Sequence, residues 1–108
     1  MKGAKNETVL FMLFSGGMKD MPKPKTATGE KNLISQRLIE LRREHHMSQR
    51  LLAYQLQLNG YDMDKNVITR IETNKRYVTD IELKALAEIF QVSYDYLLEG
   101  KEKSQFSN

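Results

Sequence analysis

Four side chains that follow Asp64 have the chemistry needed to recognise the edges of DNA bases. They are expected to face outward from a short helix, and they are Lys65, Asn66, Thr69 and Arg70. Lysine or arginine can pair with guanine O6 and N7, asparagine with adenine, and threonine with a thymine methyl group or a phosphate. These residues are therefore candidates for base contacts in the major groove. The alternative is an ordinary solvated face.

Positive charge is concentrated on the same segment. The chain of 108 residues has a formal net charge of +3, which admits a nucleic-acid partner without requiring one. From Lys65 to Arg76, four cations stand against one anion, a local charge of +3. From Asp80 to Glu88, three anions stand against one cation, a local charge of −2. The candidate base contacts thus lie in the most basic part of the folded region.

The positions of apolar and capping residues predict five helices and no strand. The helices are expected to begin at about Leu33, Ser48, Asp64, Thr79 and Ser93. The first is expected to end at about His45, the second at Asn59-Gly60, the third at Thr73-Asn74 and the fifth at Gly100. Asn32 is a candidate cap for the first helix, and Thr79 with Glu82 has the pattern of a capping box. The expected core residues are Ile34, Leu38, Leu41, Leu52, Ala53, Leu56, Val67, Ile68, Ile71, Leu83, Leu86, Ala87 and Phe90, with Leu51 as a further candidate.

The second predicted helix opens at Ser48 and Gln49. A helix N-terminus presents unpaired N–H groups and a partial positive charge, both of which favour phosphate. Ser48 and Gln49 are therefore candidate phosphate contacts, and the alternative is a plain N-cap turn.

Length and composition predict one small folded domain with loose ends. We expect a flexible N-terminal extension over residues 1–31, a domain over residues 32–99 and a C-terminal tail over residues 100–108. The apolar stretch from Thr8 to Phe14 is far shorter than the ~20 residues of a membrane span. There is no cysteine, and the adjacent His45 and His46 lack the spacing of metal ligands. No metal, cofactor, membrane or catalytic site is predicted.

Three segments carry a resemblance to a known family, and they are ISQRLIELRREHHMSQRLLAYQL, DKNVITRIETNKR and TDIELKALAEIFQVSYDYLL. Over Ile34 to about Leu98 the chain resembles the phage-repressor and Cro type of helix-turn-helix domain. The resemblance implies an all-α fold of five helices, in which Gln49 clamps a backbone phosphate. It also implies that Lys75 and Arg76 meet phosphate in the loop after the recognition helix. For these two cations the alternative is simple solvation.

The same resemblance implies an ion pair between Arg42 and Glu72 that ties the first helix to the third. One departure from the family pattern is the connection between the second and third helices, which holds extra residues in QLQLNGYDM. Either the second helix gains a turn or the connection bulges. The recognition helix could then lie at a shifted angle.

These observations predict a sequence-specific DNA-binding transcriptional regulator, a repressor, which is cytoplasmic, associated with the nucleoid and not an enzyme. Its partner is double-stranded DNA, bound as a homodimer because one module buries too little DNA surface for strong specificity. Tyr94, Tyr96 and Leu98 are candidate dimer contacts, unless Leu97 closes the core and the tyrosines merely half-bury. The alternative function is an antitoxin-like or adaptor module that binds a protein partner, which the apolar segment from Thr8 to Phe14 favours.

Overall fold

The computed structural model describes residues 24–103, and this part of the chain forms five α-helices and no strand. The helices are α1 (Ser35–Glu44), α2 (Gln49–Leu58), α3 (Lys65–Glu72), α4 (Asp80–Phe90) and α5 (Tyr94–Glu99). The predicted all-α fold of five helices is therefore confirmed. The apolar stretch from Thr8 to Phe14 lies outside the described residues.

One apolar core joins the five helices. α3 packs against α1 and α2, while α4 packs against α2 and α5. The fully buried side chains include Leu38, Leu41, Leu52, Leu56, Ile68, Ile71, Leu86 and Leu97. Burial of each such side chain stabilises the fold by about 1.5–3 kcal/mol. The suggested burial of Leu51 is wrong: this side chain is 41% exposed, because it lies about 100° around α2 from Leu52.

Four of the helices begin at the predicted capping residues. The side chains of Ser48, Asp64, Thr79 and Ser93 each accept a hydrogen bond from the backbone N–H three residues further on. Thr79 and Glu82 complete a capping box, because the Glu82 carboxylate also accepts from the Thr79 N–H. These local bonds satisfy N–H groups that have no partner within the helix, and each is typically worth about 1 kcal/mol.

α1 begins at Ser35, two residues later than predicted, and its N-cap position Ile34 supplies no side-chain bond. Asn32 takes over this role from just outside the helix. Its Oδ1 accepts from the N–H groups of Ile34 and Ser35 at 3.1 and 3.0 Å. Asn32 is also buried, so water does not compete for these two hydrogen bonds.

The long connection between α2 and α3 is anchored to the domain. Residues 59–64 make the crossing, and Gly60 turns the chain with a φ of +90° that favours glycine. Tyr61 donates a hydrogen bond of 2.6 Å to the Glu88 carboxylate on α4, and Met63 is buried in the core. The Tyr61 bond is the main cause that holds the pKa of the Glu88 carboxyl below its ordinary value. The extra residues therefore form a loop with fixed contacts ahead of α3.

Candidate DNA interface

α3 turns an apolar face to the core and a polar face to solvent. Ile68 and Ile71 are fully buried, whereas Lys65, Asn66 and Arg70 are exposed. The helix contains several β-branched residues and has a low intrinsic preference for the α conformation, so packing must hold it in place. Because the buried isoleucines fix α3 on the domain, the three exposed side chains project from a rigid surface.

Thr69, the fourth predicted base contact, is half-buried, and its hydroxyl already has hydrogen-bond partners within the protein. Its hydroxyl lies 2.8 Å from Oε1 of Gln49 and 3.0 Å from the carbonyl oxygen of Lys65. The other end of the Gln49 amide donates to Oε1 of Glu72 at 2.8 Å. The Gln49 side chain, expected to clamp a phosphate, is thus bonded within the protein between α2 and α3. A phosphate could still reach its backbone N–H without breaking these bonds.

An ion pair between Arg42 and Glu72 ties α1 to α3. Arg42 Nε donates to Oε2 at 2.7 Å and Nη2 donates to Oε1 at 3.0 Å, which is the bidentate geometry of strong charge-assisted pairs. The side chains are only 15% and 5% exposed, respectively. Arg42 Nη1 also donates to the Met47 carbonyl at 2.9 Å. The bond to Glu72 raises the pKa of the Arg42 guanidinium, because the negative carboxylate favours the charged form of the arginine.

The N-terminus of α2 lies beside α3. Ser48 Oγ accepts from the Leu51 N–H at 3.0 Å, which leaves the N–H groups of Gln49 and Arg50 at the open end of the helix. The bond from Thr69 to Gln49 joins this end to the polar side of α3. A negatively charged group could therefore contact the α2 N-terminus and α3 together.

The two cations after α3 differ in their surroundings. Lys75 is exposed, as expected for a residue that could meet phosphate. Arg76 Nη2 instead donates to Glu82 Oε2 at 2.9 Å, and the two side chains are 25% and 13% exposed. Glu82 thus serves both the capping box of α4 and Arg76. Sequence reasoning found the capping box and did not find this ion pair.

A pair of asparagines joins the start of α1 to the end of α3. Asn74 has a left-handed backbone with φ +58°, a conformation that asparagine adopts more readily than most residues. Its Oδ1 accepts from the N–H groups of Lys31 and Asn32 at 2.6 and 3.1 Å, and its Nδ2 donates to the Asn32 carbonyl and the Ser35 hydroxyl. Asn32 Nδ2 donates to the carbonyl of Ile71 in the last turn of α3 at 3.2 Å and to that of Arg76 in the following loop at 3.0 Å. The preference of asparagine for helix ends was the only sequence signal, and it does not identify a partner.

A family model described as helix-turn-helix matches residues 38–97, which is more than half of the 108 residues. This span contains α2, α3, α4 and both members of the Arg42–Glu72 pair. The chain belongs to the phage-repressor and Cro type of helix-turn-helix family. Comparisons with curated proteins and with solved structures found no significant match. Membership makes the protein a DNA-binding helix-turn-helix regulator, from a family that is not typically enzymatic.

The candidate dimer residues of this helix-turn-helix domain lie on α5. Tyr94 is 47% exposed and Leu98 is 37% exposed, whereas Leu97 is fully buried and closes the core. Tyr96 is half-buried, and the Lys103 ammonium lies 5.5 Å from the centre of its ring. Tyr94 and Leu98 are therefore the two candidates with surface available to a second molecule.

Residues 24–103 contain neither a membrane-spanning helix nor a cluster of metal ligands. No helix there is long and apolar enough to cross a lipid bilayer. No three histidine or acidic side chains in that range lie together in a way that could hold a metal ion. The rings of His45 and Phe90 form a T-shaped contact with 5.1 Å between their centres, which gives His45 a packing role.

Proposed function

We propose that the protein is a sequence-specific transcriptional repressor that inserts α3 into the major groove of DNA. The observation that carries this proposal is the exposure of Lys65, Asn66 and Arg70 on a helix whose opposite face is locked into the core. Cations and amides at these positions can bond to guanine and adenine edges. A fixed helix presents them in one geometry, which sequence recognition requires.

Contacts to the DNA backbone would come from both sides of α3. The α2 N-terminus at Ser48 and Gln49 offers N–H groups to one phosphate. Lys75 offers an exposed ammonium to another, and Arg76 contributes less because Glu82 already neutralises it. Such contacts set the register of the protein on the duplex and carry little sequence information.

Selection of bound fragments from random duplex DNA tests the proposal. We expect enrichment of a palindrome whose half-sites lie about 10 base pairs apart, since two copies of the domain would read one face of the duplex. Expression of the protein should then lower transcription from a reporter promoter that overlaps the selected sequence. Fragments without a common motif would contradict sequence-specific recognition, and raised transcription would contradict repression.

Homodimerisation through α5 is part of the same proposal. Replacement of Tyr94 and Leu98 by glutamate would place two carboxylates on the surface that is expected to pair. We predict that wild-type protein elutes as a dimer at micromolar concentration and that this double variant elutes as a monomer. Its affinity for the palindrome should fall by about 10²-fold or more, because each copy would bind alone.

The control for the dimer prediction is Leu58→Glu, which changes another exposed leucine, 63% exposed at the end of α2. This variant should remain dimeric and bind the palindrome as the wild type does. If the Tyr94/Leu98 variant still elutes as a dimer and binds the palindrome with wild-type affinity, α5 is not the interface.

A second candidate function is the binding of a protein partner. It is favoured by exposed apolar side chains near the starts of α1 and α4, where Leu33 is 51% and Ile81 is 65% exposed. The dependence on salt separates the two candidates. DNA affinity that rests on phosphate contacts falls steeply as salt rises, whereas apolar docking does not.

A further inference from the structure

A basic depression lies beside the C-terminal end of α3. Its volume is about 440 Å³, and it is lined by Lys31, Arg70, Lys75, Arg76, Tyr77 and Thr79. Four of these six residues are cations and none is an anion. Cations repel one another, so a cluster of this kind is stabilised when a negatively charged group binds among them.

Little negative charge within the protein compensates this depression. Arg76 is bonded to Glu82 at 2.9 Å, but no ion pair in the described part of the chain involves Lys31, Arg70 or Lys75. Glu30 precedes Lys31 in the chain, yet its carboxylate accepts from a threonine hydroxyl at 3.3 Å. Three cations thus line one small space without a carboxylate partner.

Lys31 is held in this space by the asparagine pair. Its backbone N–H donates to Asn74 Oδ1 at 2.6 Å, although 43 positions separate the two residues in sequence. Asn74 is itself fixed by its bonds to Asn32 and Ser35. Each of the two asparagine amides uses both its oxygen and its nitrogen in bonds, so the start of the domain is fastened to the end of α3. Lys31 therefore has a defined position next to Arg70 and Lys75.

We propose that this depression binds a phosphodiester group of the DNA backbone and that Lys31 is a direct phosphate contact. The inference rests on the proposed function, because it assumes that α3 enters the major groove. It extends the interface to the segment before α1, to which sequence reasoning assigned no DNA contact. Asn74 acts as a positioning residue: it touches no DNA and holds the Lys31 backbone at the end of the recognition helix.

The dependence of binding on salt tests the role of Lys31. Affinity of the full chain is measured between 50 and 200 mM salt for a 24-base-pair duplex of random sequence and for the selected palindrome. Each phosphate contact makes the affinity fall by a further factor of about 3.5 between 50 and 200 mM salt. A variant that lacks one contact per protein copy should therefore lose this factor once for each copy bound. We expect Lys31→Ala to show this change and to weaken binding to both duplexes by the same factor, since a phosphate contact carries no sequence preference.

Two further variants sharpen the test. Lys101→Ala removes a cation that does not line the depression and is paired with Glu99 at 3.0 Å, so its salt dependence should match the wild type. Asn74→Gly removes the amide but tolerates the left-handed backbone. As a single substitution, Asn74→Gly should weaken DNA binding. In the Lys31→Ala background it should have a smaller effect, because the two changes act through one contact.

The outcomes distinguish this inference from the proposed function. Wild-type protein that binds neither duplex would overturn the proposed function. Wild-type binding that Lys31→Ala leaves unchanged, in affinity and in salt dependence, would overturn only the phosphate site. Titration with inorganic phosphate, followed by the NMR signals of the backbone amides, tests whether the site holds free phosphate instead. If millimolar phosphate shifts the Lys31 and Lys75 amide signals and the shifts persist when DNA is bound, the site holds free phosphate and the inference fails.

Discussion

Arg42→Ala is expected to lower both the melting temperature of the domain and its affinity for DNA. The substitution would leave the Glu72 carboxylate, whose side chain is 5% exposed, without its bidentate partner. Removal of one member of a buried pair typically costs about 3–5 kcal/mol. In a domain of this size that corresponds to a fall of more than about 10 °C in melting temperature. DNA affinity should fall as well, because Glu72 also holds Gln49 and so links α1, α2 and α3.

Thermal denaturation followed by circular dichroism measures the effect of Arg42→Ala. Arg43→Ala is the matched control, since it removes an exposed arginine from the next position of the same helix. A double variant, Arg42→Met with Glu72→Leu, should recover much of the lost stability, because neither charge is then left unpaired. If Arg42→Ala melts like the wild type but no longer binds DNA, Arg42 is a direct phosphate contact and the proposed structural role is wrong.

Simultaneous replacement of Lys65, Asn66 and Arg70 by alanine should abolish sequence-specific binding. All three side chains are exposed, so the fold should be retained, and alanine has a higher helix propensity than asparagine. Affinity for the selected palindrome should fall to that for random DNA, a loss of about 10³-fold or more. Titration of labelled duplexes at fixed salt measures both affinities.

The control for this triple variant removes a similar charge and amide content elsewhere. It replaces Lys84, Lys101 and Gln36 by alanine, three exposed residues outside the candidate interface. This control should keep a preference for the palindrome over random DNA. A triple variant of α3 that retains the wild-type footprint would show that other residues read the sequence.

Features of the fold that depend on near neighbours in sequence could be predicted. The capping box of Thr79 and Glu82 lies within one helical turn, and the buried stripe of Leu38 and Leu41 follows from helical spacing. Leu51 was the exception among the predicted core leucines of α2, because an apolar side chain beside the buried stripe stays exposed unless a neighbouring element covers it. Composition alone does not reveal that coverage.

The contacts that distant segments make could not be predicted in the same way. The Gln49 amide bonds to Thr69 and Glu72, which lie 20 and 23 positions away in sequence. Asn74 bonds to the backbone of Lys31 across 43 positions. Polar side chains at helix ends have many potential partners, and only the packing of α1 and α2 against α3 selects among them. Resemblance to a family suggested the Arg42–Glu72 pair, but none of the hydrogen bonds that Asn32 and Asn74 make.

Methylation of DNA by dimethyl sulfate tests the central claim most directly, because the reagent attacks guanine N7 in the major groove and adenine N3 in the minor groove. On the selected palindrome, we expect the wild-type protein to protect guanine N7 in each half-site, as contacts from Lys65 and Arg70 would block it. Arg70→Ala should restore methylation at one guanine in each half-site and leave the others protected. Guanine N7 that stays fully reactive while adenine N3 is protected would contradict insertion of α3 into the major groove.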